Sequence, residues 1–285
     1  CVGIVICTCN GYRVGGPGLF MKAHAADAGV LYIIDSIGGT PESVTEDCTD
    51  SAGGWSYDAG TATLTLDGFQ GEYIEANGDI NIVLKGKNKI TISAESTEGI
   101  KSTGKVTIDD TISPAQDCLD IYCSDGTESV SMIYTGGFGA DYATYIVGGT
   151  VNLVEENTRR RYVTGISRWA YVENDASLNI NLSADGGRNG VAALLNLNTS
   201  GDTSFRVNSL SSSSYGVYSL DKKGSGDTAL AAEGKAKNID NKFTIGSTGN
   251  TGKITIKGYL TDFTPCRRKN RIVGVDNFLW SYFTE

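Results

Sequence analysis

This chain is poor in several residues that catalytic sites and membrane spans depend on. Its 285 residues include one histidine, two methionines and four prolines, and 24 basic residues stand against 33 acidic ones. His24 lies among alanines with no second histidine and no clear carboxylate beside it, so it is expected to be structural or exposed. The serines and threonines therefore lack a histidine partner for nucleophilic catalysis. A net charge of −9 and a pI near 4.7 argue against nucleic acid or an anionic membrane surface as partner, because both demand a basic footprint. No run approaches the roughly 18 apolar residues of a membrane span.

The seven cysteines, Cys1, Cys7, Cys9, Cys48, Cys118, Cys123 and Cys266, form neither a paired zinc motif nor a thioredoxin-like one. Their odd number leaves one thiol free or joined to another chain. Disulfides would imply an oxidising, extracellular setting. Cys118 and Cys123 flank a strand-like Leu-Asp-Ile-Tyr and face the same way only if a turn intervenes. The chain begins at Cys1 without methionine, so an export signal is expected to be absent or already removed. An amino-terminal cysteine is also a lipid-anchor position, and a chain boundary would leave the same residue.

What is abundant is glycine, 37 residues, together with Thr, Ser and Asn, a composition suited to many tight turns. From Gly165 to Ile256 one phrase returns about every 25 residues. It opens at Gly165-Ile166, Gly190-Val191, Gly216-Val217 and Asn238-Ile239. A second alternation follows at Leu178–Leu182, Thr203–Val207, Thr228–Ala231 and Lys253–Ile256, each after a turn such as Asn174-Asp175 or Gly201-Asp202. A short two-strand unit cannot bury its own apolar face and must stack on copies of itself. The period of two, the β-branched residues and the frequent Gly and Asn exclude helical repeats. The expected fold is all-β, a parallel β-helix, with residues 1–52 as an amino-terminal arm and cap, 53–258 as the solenoid, and 259–285 as a carboxyl-terminal cap or interface tail.

Upstream, the chain reads Gly54-Trp-Ser-Tyr-Asp58, then Thr63-Leu-Thr-Leu-Asp-Gly68, then Gly78-Asp-Ile-Asn-Ile-Val-Leu-Lys-Gly-Lys-Asn-Lys-Ile90. This series, over roughly residues 53 to 108, resembles a family of secreted surface proteins of Gram-positive anaerobes described as carbohydrate-binding. The resemblance implies a right-handed parallel β-helix and an extracellular or cell-surface location. Within these strands Leu64, Leu66, Ile80, Ile82, Leu84, Ile90 and Ile92 share inward parity, leaving Thr, Asn and Lys outside.

The enzyme reading fails on the residues. Asp109-Asp110 is an adjacent pair at a strand end, without a second acidic row at coil spacing of the kind that glycoside hydrolysis needs. Asp175, Asp202 and Asp227 recur, but each follows Gly or Asn just before a strand, where Asp serves the turn. The chain is expected to be non-enzymatic, without metal or cofactor. Its candidate glycan-binding residues are Trp169, Tyr171 and Tyr218, with parity placing Trp169 level with Leu194 and Leu220 on the outside. Asp141–Tyr145 and Asn157–Tyr162 read as excursions, where binding residues tend to sit. The alternative function is assembly into a filament or array of copies joined end to end, through Cys1, Cys7, Cys9 and Cys266 and the apolar tail. A less favoured reading is a polysaccharide lyase or glycosidase.

Overall fold

A computed structural model describes residues 30–111, 116–137, 139–155, 163–182, 194–200, 202–209, 215–223, 228–234, 237–245, 254–257, 271–275 and 279–283. The described chain is all-β apart from one short 3-10 turn, Ala140–Tyr142. Its strands form three sheets, here A, B and C.

Short apolar alternations broken by glycine make short strands, and the chain deals them out in rotation. Thr63–Asp67 lies in sheet B, Gln70–Gly71 in C and Tyr73–Ala76 in A. Ile80–Lys85, Lys87–Ile92 and Glu98–Ser102 repeat that order, as do Val106–Asp110, Cys118–Cys123 and Val130–Thr135, then Thr144–Ile146, Thr150–Glu155 and Val163–Ile166. Within this run each strand pairs in parallel with its equivalent one rotation away. Sheets B and C continue, B through Arg168–Glu173, Leu194–Ser200, Tyr215–Lys223 and Lys237–Ile245, and C through Ser177–Leu182, Thr203–Ser209, Thr228–Gly234 and Ile254–Lys257.

Parallel register stacks like on like. Leu64, Ile82, Ile108, Ile146 and Val172 form one inward column in sheet B. Ile90, Ile121, Leu153 and Ile180 form the column in C, and Ile74, Ile100, Ile133 and Ile166 that in A. All thirteen are fully or almost fully buried, in one core shared by the three sheets. Burying each such side chain is worth about 1.5–3 kcal/mol, which explains how strands of three to six residues hold together. The inward parity expected for Leu64 through Ile92 is observed at every position.

Both ends change to antiparallel pairing. Leu31–Ile34 and Glu42–Val44 extend sheet A beyond Tyr73–Ala76. Cys48–Asp50 and Trp55–Asp58 extend sheet B beyond Thr63–Asp67. At the other end, Leu279–Phe283 pairs with Ile254–Lys257, and Arg271–Val275 follows it. Part of the carboxyl-terminal segment expected as a cap or interface tail thus joins sheet C as a strand. Trp55 is buried, with its indole N–H 3.3 Å from Asp35 Oδ2, so the Trp-x-Tyr-Asp motif anchors the terminal hairpin. Cys48 is disulfide-bonded. Cys1, Cys7, Cys9 and Cys266 lie outside the described residues.

Two details of the repeat are corrected. Gly165-Ile166 belongs to sheet A, paired with Ile133, whereas Val217 and Ile239 pair with one another in sheet B. The opening phrase therefore mixes strands of two sheets, and as far as Ile166 a unit has three strands. Every described segment of the second alternation does belong to sheet C.

Candidate functional site

The outer face of sheet B carries an outward aromatic group of Tyr145, Tyr171 and Trp169. Parallel pairing aligns Thr107 with Tyr145, Tyr145 with Tyr171, and Tyr171 with Asn198. Because alternate residues share a face, Lys105 and Trp169 lie to one side of this row, and Asp109 and Glu173 to the other. All seven of these residues from Lys105 to Glu173 are half-buried on the outside of the sheet.

Tyr145 and Tyr171 stack with centroids 4.3 Å apart and planes 8° from parallel. That separation is close to the roughly 4.8 Å between paired strands, so the rings face along the sheet and present their edges outward. Lys105 Nζ sits 5.7 Å from the Tyr145 centroid, while its backbone N–H donates to Asp79 Oδ1 at 2.8 Å. The Tyr145 hydroxyl donates to the carbonyl of Ala140 at 3.3 Å. Its phenol is pushed up to about 12, first by burial, then by Tyr171 and the charges of Glu173 and Asp141.

Residues 139–143 fold back beside this row. Tyr142 lies over Gly137, where a Cβ would collide with its ring, and Tyr142 remains 40% exposed. Asp141–Tyr145, read as a loop insertion from sequence, is thus half turn and half strand. Its last residue, Tyr145, stands one repeat before Tyr171, and that spacing is the signal by which it could have been found.

Of the residues singled out by sequence, Trp169 and Tyr171 share this face. Tyr218 lies in Tyr215–Lys223 at a register shift between Val217 and Ser219, and its side chain is outside the described set. The expected level of Trp169 with Leu194 and Leu220 is not found. A register shift after Arg168 sets Trp169 against Asn196, with Leu194 against Arg168. Leu220 pairs with Leu197, which pairs with the buried Ala170. An irregularity in strand pairing displaces every following residue, and parity counting cannot see it.

Beyond Asp109 the strand ends in an acidic corner. Asp110 pairs with the buried Leu84 and has one oxygen shielded from water without a hydrogen-bond partner. Burial, then Asp109, Asp175 and Asp117, push its carboxyl above the ordinary range, opposed by the Gly149 N–H. The backbone N–H of Asp110 donates to Asp109 Oδ1 at 2.9 Å. Among the described residues no group of three or more His, Cys, Asp or Glu side chains has the arrangement of a metal site. Asp175 follows Asn174, whose φ is 55°, and both are exposed, as turn residues should be.

Sheet C has its own outward row. Asn152 donates to Asp120 at 2.6 Å and accepts from Asn179 at 2.9 Å, and Lys89 lies 4.5 Å over the Tyr122 ring. Cys118 is half-exposed on this face, whereas Cys123 is buried and donates to the Ser124 carbonyl. No turn intervenes between them, so the two thiols face opposite ways.

Comparison with known proteins adds no relative: no family matches the chain, and neither a curated protein nor a solved structure matches it.

Proposed function

We propose that this chain is a non-enzymatic, extracellular or cell-surface protein, adhesin-like, that binds polysaccharide or cell-surface glycan on the outside of a right-handed parallel β-helix closed off at both ends. The rotation of the chain through three parallel sheets around one core supports the helical path. The observation that carries the binding reading is the in-register group Lys105, Tyr145, Tyr171 and Trp169, which aligns aromatic side chains on consecutive strands of a rigid face. Sugar rings offer C–H faces to aromatic carbon and hydroxyls to polar groups, and Tyr and Trp present both kinds of surface. The resemblance of residues 53 to 108 to secreted carbohydrate-binding proteins points the same way.

Affinity electrophoresis through gels containing neutral, acidic and amino-sugar polysaccharides tests this reading. Retardation in at least one gel, reduced by Tyr171→Ala, is expected. Equal mobility in all of them would end it, and release of reducing ends or unsaturated products would move the protein to the enzymes.

Assembly through the ends is the lesser reading. Antiparallel strands already pair with the outermost parallel strands of sheets A and B at one end and of C at the other, taking up backbone groups that a stacked copy would need.

A further inference from the structure

We propose that the outer face of sheet B prefers glycans with free amino groups, the sugar resting on Tyr145, Tyr171 and Trp169 while Asp109 and Glu173 each attract an ammonium of the chain. This rests on the glycan-binding reading above and names its substrate class.

The register supplies the geometry. Asp109 lies two residues beyond Thr107, and Glu173 two beyond Tyr171, on the same side of the sheet. Two residues of strand span about 6.5 Å, comparable with a single sugar ring. Asp109 and Glu173 stand on the strands either side of Thr144–Ile146, about 10 Å apart across the sheet, so sugar units over the tyrosine edges bring an amino group to one carboxylate or the other. Lys105 lies on the opposite flank, engaged with Tyr145 and with Asp79 through its backbone, so it does not neutralise that side.

The electrostatics choose among glycans. Asp110, Asp117 and Asp175 surround the carboxylate flank, Asp141 lies near Tyr145, and the whole chain carries −9. A polyuronate would set its carboxylates against these and be repelled. A neutral sugar gains the aromatic contact alone. An ammonium gains the carboxylates as well.

The test is titration calorimetry, below neutral pH, with oligomers of glucosamine, of N-acetylglucosamine and of galacturonate of matched length. The glucosamine oligomer should bind about tenfold tighter than its acetylated counterpart, as two exposed charge contacts allow. The double variant Asp109→Asn/Glu173→Gln should erase that gap. Glu46→Gln/Glu95→Gln, which removes equal charge from exposed turns elsewhere, should preserve it. Equal affinity for the two oligomers, or a gap unmoved by the double variant, overturns the preference while binding of either keeps the glycan reading. Tighter binding of galacturonate also overturns it. Oligolysine bound as tightly as glucosamine would mean attraction by charge alone and sink the proposal. Binding of none of the three sugars removes both readings.

Discussion

The ring of Tyr171 lies 4.3 Å from that of Tyr145 across one parallel strand pair, the planes 8° apart. The two residues are one repeat apart in sequence, and their contact depends on register alone. Sliding either strand by one residue would turn its ring into the core.

That stack has a titration signature. Tyr145 is held up to about 12, from an ordinary 10.0, by burial and by Tyr171, Glu173 and Asp141. The unfolded chain gives up this proton first as pH rises, so the associated stability is complete below pH 10 and declines through the folded value. Absorbance of phenolate in the wild type and in Tyr145→Phe should differ by a tyrosine ionising near 12, and Glu173→Gln should bring that ionisation lower. A Tyr145 that titrates at 10 would contradict the packing.

Asp110 has the same sign. Its carboxyl titrates above the ordinary 3.8, so its contribution is intact at acid pH and lost as pH rises through the raised value. Asp110→Asn keeps an acceptor for the Gly149 N–H and offers an amide to the neighbouring carboxylates. It should raise Tm near neutral pH, by on the order of 1–2 °C, and the two proteins should converge near pH 4. A lower Tm at neutral pH would show the charge to be paired.

Core packing sets a larger scale. Ile121 is fully buried between Ile90 and Leu153, and Ile121→Ala should cost about 2–5 kcal/mol in urea unfolding. Gly99→Ala attacks the same place from the other side: a Cβ there would lie 3.0 Å from Ile121 Cγ2 and from the Met132 carbonyl. About 1–3 kcal/mol is expected. In the Gly99→Ala background Ile121→Ala should cost less than it does alone, because the Cγ2 that the new Cβ meets is gone, while the backbone carbonyl cannot move aside and part of the Gly99→Ala loss remains. Additive losses in the double variant would contradict this contact.

The thiols of one strand should differ in reactivity. Cys118 is half-exposed and Cys123 buried. Maleimide labelling of the native protein, mapped by peptide mass, should modify Cys118 first and Cys123 only on unfolding. Burial, then the charge of Asp120, push the Cys118 thiol up, so its labelling should be slow at neutral pH and accelerate in mild alkali. Equal labelling of both in native protein would place Cys123 outside the core.

Local pattern was enough to reveal the all-β class, the inward residues between Leu64 and Ile92 and the turn at Asn174-Asp175. Leu64, Ile82, Ile90 and Ile92 follow from alternation, because a strand must turn every second side chain toward the same face. Asn174-Asp175 follows from turn chemistry, and the observed φ of 55° at Asn174 agrees. The tertiary structure decided which sheet each strand joins and which residue faces which. A period of two is identical in sheets A, B and C, so Ile166 and Val217 look alike in sequence while packing in different sheets. The pairing of Thr107 with Tyr145 spans a long excursion, and the shift after Arg168 moves Trp169 to Asn196. Corner lengths and pairing irregularities set that register, and hydrogen bonds between strands distant in sequence hold it. The candidate face of Lys105, Tyr145, Tyr171, Asp109 and Glu173 therefore exists only once the strands are aligned.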